Sequence, residues 1–171
     1  MVNLKINGQD VQVEKGTTIL EAAKKINIKI PTLCHMDMKG LGFINRDANC
    51  RVCLVELMDK NKLVPACDTL VKEGMDVRTD TYRVIRSRKV NIELLLSNHP
   101  TDCLVCSKSG NCELQDLAWL ANIRTIRFTG ERINYPLDNS SLSLIRDPNK
   151  CVLCKRCETM CNEVQTVGTL T

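Results

Sequence analysis

Aromatic side chains are scarce in these 171 residues: one Trp, two Tyr and two Phe, 3% of the chain, although apolar residues make up 43%. Large rings therefore cannot fill several small cores, and something else must hold such cores together. No stretch approaches the roughly 18 consecutive apolar residues of a membrane helix, and mean hydropathy is slightly negative, so a soluble chain with no membrane partner is expected. A strong excess of one charge is also missing. The 24 basic and 20 acidic residues leave +4, too mild and too dispersed for a nucleic-acid partner. Residues 1–30 lack a basic-then-apolar signal segment with a small-residue cleavage site, which makes a reducing cytoplasm the expected compartment. There is no Ser-His-Asp set, phosphate loop or dinucleotide fingerprint, so no catalytic residue is assigned.

Cysteine is what the chain has in abundance, with eleven. In a reducing compartment they stay free thiols able to bind metal, and ligation then supplies the folding free energy that a thin core lacks.

Around the cysteines the patterning is that of an α+β protein. Val2, Leu4 and Ile6 alternate, Asn7-Gly8 signals a turn, and Val11 and Val13 alternate again, which predicts a hairpin over 2–13. Thr18 followed by Glu21 makes a capping box, and Ile19, Ala22, Ala23 and Ile26 give its helix an apolar face before Pro31 ends the segment. A long loop carries Cys34. Residues 52–58 and 63–66 read as strands around the polar turn 59–62, with a last strand at 75–77, together a β-grasp-like order. From about Asp80 a helix is expected, with Ile85, Ile92 and Leu96 as its apolar face, Arg83, Arg86, Arg88 and Lys89 on solvated faces, and Pro100 as its stop. A shorter helix from Glu113 to about Ala121 is expected to bury Leu114, Leu117, Ala118 and Trp119. Residues 123–149 read as a connector that holds at most one strand.

The first cysteine set is Cys34, Cys50, Cys53 and Cys67. A Cys-x-x-Cys pair with two outlying cysteines in a small β-rich domain follows the logic of a 2Fe-2S cluster, in which four thiolates converge on two irons. A zinc site is the alternative. The gap from Cys34 to Cys50 is much longer than the four-residue gap of plant-type ferredoxins.

The second set is His99, Cys103, Cys106 and Cys112. His99 stands at a helix end, directly before a proline and ahead of the thiolate loop, and Gly110 lets that loop turn before Cys112. This is the pattern of a 4Fe-4S cluster with one imidazole ligand, whose neutral nitrogen makes the cluster less negative and tends to raise its reduction potential. His35, beside Cys34, reads as a loop residue.

The third set, Cys151, Cys154, Cys157 and Cys161, is the half-motif of bacterial-type ferredoxins with Asn162 where proline commonly follows. In that motif the first three cysteines bind one 4Fe-4S cluster and the fourth serves a neighbouring one. The missing fourth ligand of the first cluster and the partner motif for Cys161 are expected in a longer chain. A modified or labile site is the alternative.

In this order the three sets resemble the N-terminal accessory region of FeFe hydrogenases of the multisubunit NAD(P)-linked type, most specifically in His99-x-x-x-Cys103-x-x-Cys106-x-x-x-x-x-Cys112, and also in the phrases from Asn49 to Glu56 and from Asn98 to Cys103. The same module belongs to the large iron-sulfur subunit of complex I and to NAD-dependent formate dehydrogenases. The resemblance implies a 2Fe-2S β-grasp ferredoxin domain over 1–79, a small helical His/Cys3 4Fe-4S domain over 80–122, a connector over 123–149, and the start of a bacterial-type ferredoxin domain over 150–171. It implies an electron relay of a hydrogenase whose catalytic site lies beyond these residues. Its partners would be a flavin- and NAD(P)-binding subunit, with FMN and NAD(P) held there, a small 2Fe-2S subunit, and soluble ferredoxin where electrons are bifurcated. Relay in a formate dehydrogenase, complex I or a transhydrogenase is the neighbouring reading. A zinc-stabilised interaction module, with the basic helix face docking a partner, is the reading of a different class.

Overall fold

The structure, a computed structural model, describes residues 1–43, 48–130 and 134–170. They divide into two compact units, residues 1–88 with 155–171, and residues 89–154.

The first unit is built on a five-stranded sheet: β1 (Val2–Ile6), β2 (Gln9–Val13), β3 (Leu54–Leu57), β4 (Lys62–Pro65) and β5 (Met75–Arg78), in the order β2-β1-β5-β3-β4. β1 pairs antiparallel with β2 and parallel with β5, and β3 pairs antiparallel with both β4 and β5. The alternation seen in sequence places Val2, Leu4, Ile6, Val11 and Val13 inside. Asn7 (φ 52°) and Gly8 (φ 85°) both take the left-handed backbone that a two-residue hairpin turn needs. Asn7 has a second task. Its side chain accepts from Thr79 N (2.8 Å) and donates to Thr79 Oγ1 (2.7 Å), tying the hairpin to the end of β5.

Helix α1 (Ile19–Lys25) opens on the predicted capping box, with Glu21 N donating to Thr18 Oγ1 and Thr18 N donating to the Glu21 carboxylate. It ends before Pro31. Asn27 adopts the left-handed conformation, and the Asn27 and Ile28 amides reach back to the carbonyls of Lys24 and Ala23, a Schellman closure that needs no proline. Ile19, Ala22 and Ala23 are buried in the core with Leu4, Val55, Val77, Cys53 and Cys67.

Helix α2 runs from Tyr82 to Ser97 and stops before Pro100, as expected. Its apolar face differs from the expectation. Ile85 is 56% exposed while Val84 is fully buried, and the buried row continues at Ile92. Positions 84, 88 and 92 follow the i, i+4 spacing of one helix face. Because Arg88 occupies the middle of that row, counting apolar residues alone points to the wrong stripe. In the second unit, α3 (Glu113–Leu120) buries Leu114 and Leu117 but leaves Trp119 79% exposed. The connector contributes one isolated antiparallel bridge between Asp138 and Arg146 among its described residues. The last helix, α4 (Arg156–Thr159), continues as a wide turn over Met160–Val164. No helix among the described residues is long and apolar enough to cross a membrane.

Candidate metal centres

Strand register builds the first site. Cys53 directly precedes β3 and Cys67 lies two residues past β4, so the β3–β4 hairpin brings them together at its open end, where Ala66 N donates to Cys53 O (3.0 Å) and the two sulfurs lie 3.3 Å apart. The Ile19 and Leu20 amides at the start of α1 bond the carbonyls of Thr69 and Ala66, which holds the Cys67 segment against the helix. Between Cys50 and Cys53 the chain passes through Arg51 in the left-handed region (φ 50°), a conformation that costs a non-glycine residue roughly 1–2 kcal/mol and curls the loop. All four cysteines, Cys34, Cys50, Cys53 and Cys67, are free and at most 8% exposed.

Four buried thiols linked in a chain, Cys50 to Cys34 to Cys67 to Cys53, have a charge problem. Hydrogen bonds from Cys50 and Cys67 pull the Cys34 thiol well below its ordinary value, and a hydrogen bond from Cys67 pulls Cys53 down. Cys50 and Cys67 are pushed up, mainly because each keeps its proton to serve those neighbours. The protein alone thus stabilises some thiolates only by protonating others. A cationic iron core removes the conflict and lets all four ligate, so the donor set fits a 2Fe-2S cluster. Among the described residues, no group of three or more His, Cys, Asp and Glu side chains is arranged to hold a single metal ion.

In the second unit, His99, Cys103, Cys106 and Cys112 line one cavity, together with Asp102, Lys108 and Gln115. His99 follows the end of α2, Cys103 opens a short 3-10 turn, and Cys112 caps α3. Gly110 turns with φ 78°, and its amide is held by Gln115 Oε1 (3.1 Å). The His99 Nδ1 sits 2.8 Å from Pro100 O and Nε2 3.3 Å from Lys150 O. Both ring nitrogens face backbone carbonyls, and what fits an iron-sulfur cluster here is the donor set itself, one imidazole and three thiols around a single cavity.

The third set is divided between the units. Cys151 and Cys154 belong to 89–154, where the Leu153 amide points at Cys151 Sγ (3.4 Å). Cys157 and Cys161 belong to the first unit, where Cys161 is buried, its sulfur lies 3.4 Å from Thr169 Oγ1, and that contact lowers its pKa. Leu153 and Lys155 both take left-handed backbone.

Sequence reasoning missed the work of the basic helix face. Arg83 bonds the buried Glu56 carboxylate (3.1 Å) and the Asn61 carbonyl (2.9 Å), and Arg88 donates from Nε (2.9 Å) and Nη2 (2.6 Å) to Leu54 O. These side chains are not simply solvated. Arg156 is similar, donating to His35 O (3.2 Å). No periodicity marks an arginine whose target is a distant carbonyl.

The family described as "2Fe-2S iron-sulfur cluster binding domain" matches residues 1–82, and the "NADH-ubiquinone oxidoreductase-G iron-sulfur binding region" matches residues 88–127. Both matched regions are described as iron-sulfur binding, and together they form a two-part iron-sulfur module that holds the first two cysteine sets. The module is 48% identical over 170 residues to NADP-reducing hydrogenase subunit HndD of Solidesulfovibrio fructosivorans, covering 99% of this chain and 29% of that protein. It is 39% identical over 166 residues to a component of the NADH-quinone oxidoreductase of Rhizobium meliloti, covering 96% of this chain and 19% of that one. The crystal structure of an NAD+-reducing [NiFe]-hydrogenase in its H2-reduced state contains a chain that matches with a TM-score of 0.88 at 26% identity, over 99% of this chain and 69% of that one. The module thus spans under a third of these curated relatives.

Proposed function

We propose that the module is the electron relay of a hydrogenase complex, passing electrons between a flavin- and NAD(P)-binding subunit, which holds FMN and the nucleotide, and a catalytic site outside these residues. The observation that carries this reading is the convergence of four buried, free thiols at the end of the β3–β4 hairpin. Likeness to an NADP-reducing hydrogenase subunit over 170 residues supports the hydrogenase assignment. Cys34, Cys50, Cys53 and Cys67 hold a 2Fe-2S cluster, and His99, Cys103, Cys106 and Cys112 hold a 4Fe-4S cluster. Cys151, Cys154 and Cys157 begin another 4Fe-4S site, and Cys161 ligates a further one. The functional segments are 1–79, 80–122, 123–149 and 150–171. A small 2Fe-2S subunit and soluble ferredoxin are the further partners, and the cytoplasm is the compartment. The protein's part is to exclude water, fix the spacing of the clusters and set their potentials through ligand type, amide hydrogen bonds and burial.

A second reading, relay in a complex I-like oxidoreductase, rests on the likeness to the Rhizobium meliloti NADH-quinone oxidoreductase component. Formate dehydrogenase or transhydrogenase relays fall with it. Anaerobic iron and acid-labile sulfide analysis, with electron paramagnetic resonance (EPR) after dithionite reduction, tests the core claim. About ten irons with overlapping 2Fe-2S and 4Fe-4S signals would mean that the third site is filled as well, and about six that the third motif needs residues beyond this chain. Zinc without sulfide would leave only an interaction module. Hydrogen-dependent reduction of the clusters in the assembled complex separates the hydrogenase reading from the others.

A further inference from the structure

The carbonyl of Leu54 is left over by the sheet. Cys53 and Ala66 form a hydrogen-bonded pair in the β3–β4 ladder, so by antiparallel alternation Leu54 turns its own polar groups away from β4, toward the side of β5. On that side the register pairs Glu56 with Arg78 and Leu57 with Val77, which would set Leu54 opposite Asp80. β5 ends at Arg78 and the chain turns into α2 at Tyr82, so no strand reaches that far. A backbone acceptor in this position needs a donor. Arg88 supplies two, from Nε at 2.9 Å and Nη2 at 2.6 Å, and it does so from the middle of the buried row of α2.

We propose that Arg88 is a positioning residue of the 2Fe-2S site: it fixes the loop at Cys53 through the Leu54 carbonyl, and it places a permanent positive charge beside that ligand that raises the cluster's reduction potential. The inference rests on reading Cys34, Cys50, Cys53 and Cys67 as a 2Fe-2S site. Both donors bond the carbonyl of the residue that directly follows Cys53, and a guanidinium stays charged at neutral pH. Reduction adds one electron to the cluster without making or breaking a bond. A cation held in a poorly solvated place favours that added charge.

The test is a redox titration of the full chain purified anaerobically, followed by the EPR signal of the 2Fe-2S cluster, for wild type, Arg88→Lys and Arg88→Gln. Arg88→Gln is expected to titrate at a more negative potential and Arg88→Lys close to wild type, with the His99-ligated cluster unmoved in both. A 2Fe-2S potential unchanged in Arg88→Gln overturns the proposal. Loss of the cluster from Arg88→Lys as well as Arg88→Gln overturns it too, since a retained charge would then not preserve the site. Wild-type protein lacking a 2Fe-2S signal would instead refute the cluster reading itself.

Discussion

In the unit of residues 1–88 and 155–171, Cys53 and Cys67 belong to the same buried cluster as Leu4, Val55 and Val77, and the register of a hairpin sets their separation. In the other unit, Cys103, Cys106 and Cys112 are only half-buried and stand on a loop, a 3-10 turn and a helix cap. The first site takes its shape from an apolar core and a strand register. Few buried apolar residues lie around the second, so the proposed ligation would order the loop and contribute directly to folding.

The largest effect expected from that contrast is on removing the iron. Amide hydrogen exchange should stay slow in β1, β3 and β5 of the apo protein and become fast across residues 99–112. Equal loss of protection in both regions would break the comparison. Next in size is Cys67→Ala, which should abolish the 2Fe-2S signal and remove about two irons per chain, while the spectrum of the His99-ligated cluster persists. In the second unit, His99→Cys should keep a cluster and move its potential to more negative values, because a thiolate replaces a neutral imidazole. An unchanged titration would remove His99 from the ligand set.

Two smaller changes probe the scaffold of the first site alone. Asn7→Gly keeps the left-handed turn but loses both bonds to Thr79, at about 1–3 kcal/mol in chemical unfolding. Thr18→Ala removes the cap of α1 and should cost about 1 kcal/mol. Neither should shift the His99 site's potential; a shift would mean that the two centres are coupled through the scaffold.

Much of the fold was legible because its signals are local. The Asn7-Gly8 turn needs only two residues that tolerate positive φ, the Thr18–Glu21 box only a hydroxyl and a carboxylate three residues apart, and the strands only alternation. The misreadings fall where a side chain's role depends on a distant partner. Ile85 was expected inside and Val84 is inside instead, since the stripe of α2 runs through Arg88, whose partner is a carbonyl 34 residues earlier. Trp119 carries the apolar signature of a buried residue and lies exposed, because Leu114 and Leu117 already face inward from α3.

The sequence by itself determined which side chains could bind metal, how they group by spacing, and which segments are strands and helices, because ligand chemistry, turn preference and periodicity all act over a few residues. Tertiary structure alone decided that β1 pairs parallel with β5, that a hairpin's register sets Cys53 against Cys67, and that an arginine on a helix completes a strand. Those outcomes depend on which unsatisfied backbone groups and apolar faces meet once the chain is compact, and no local pattern records such meetings.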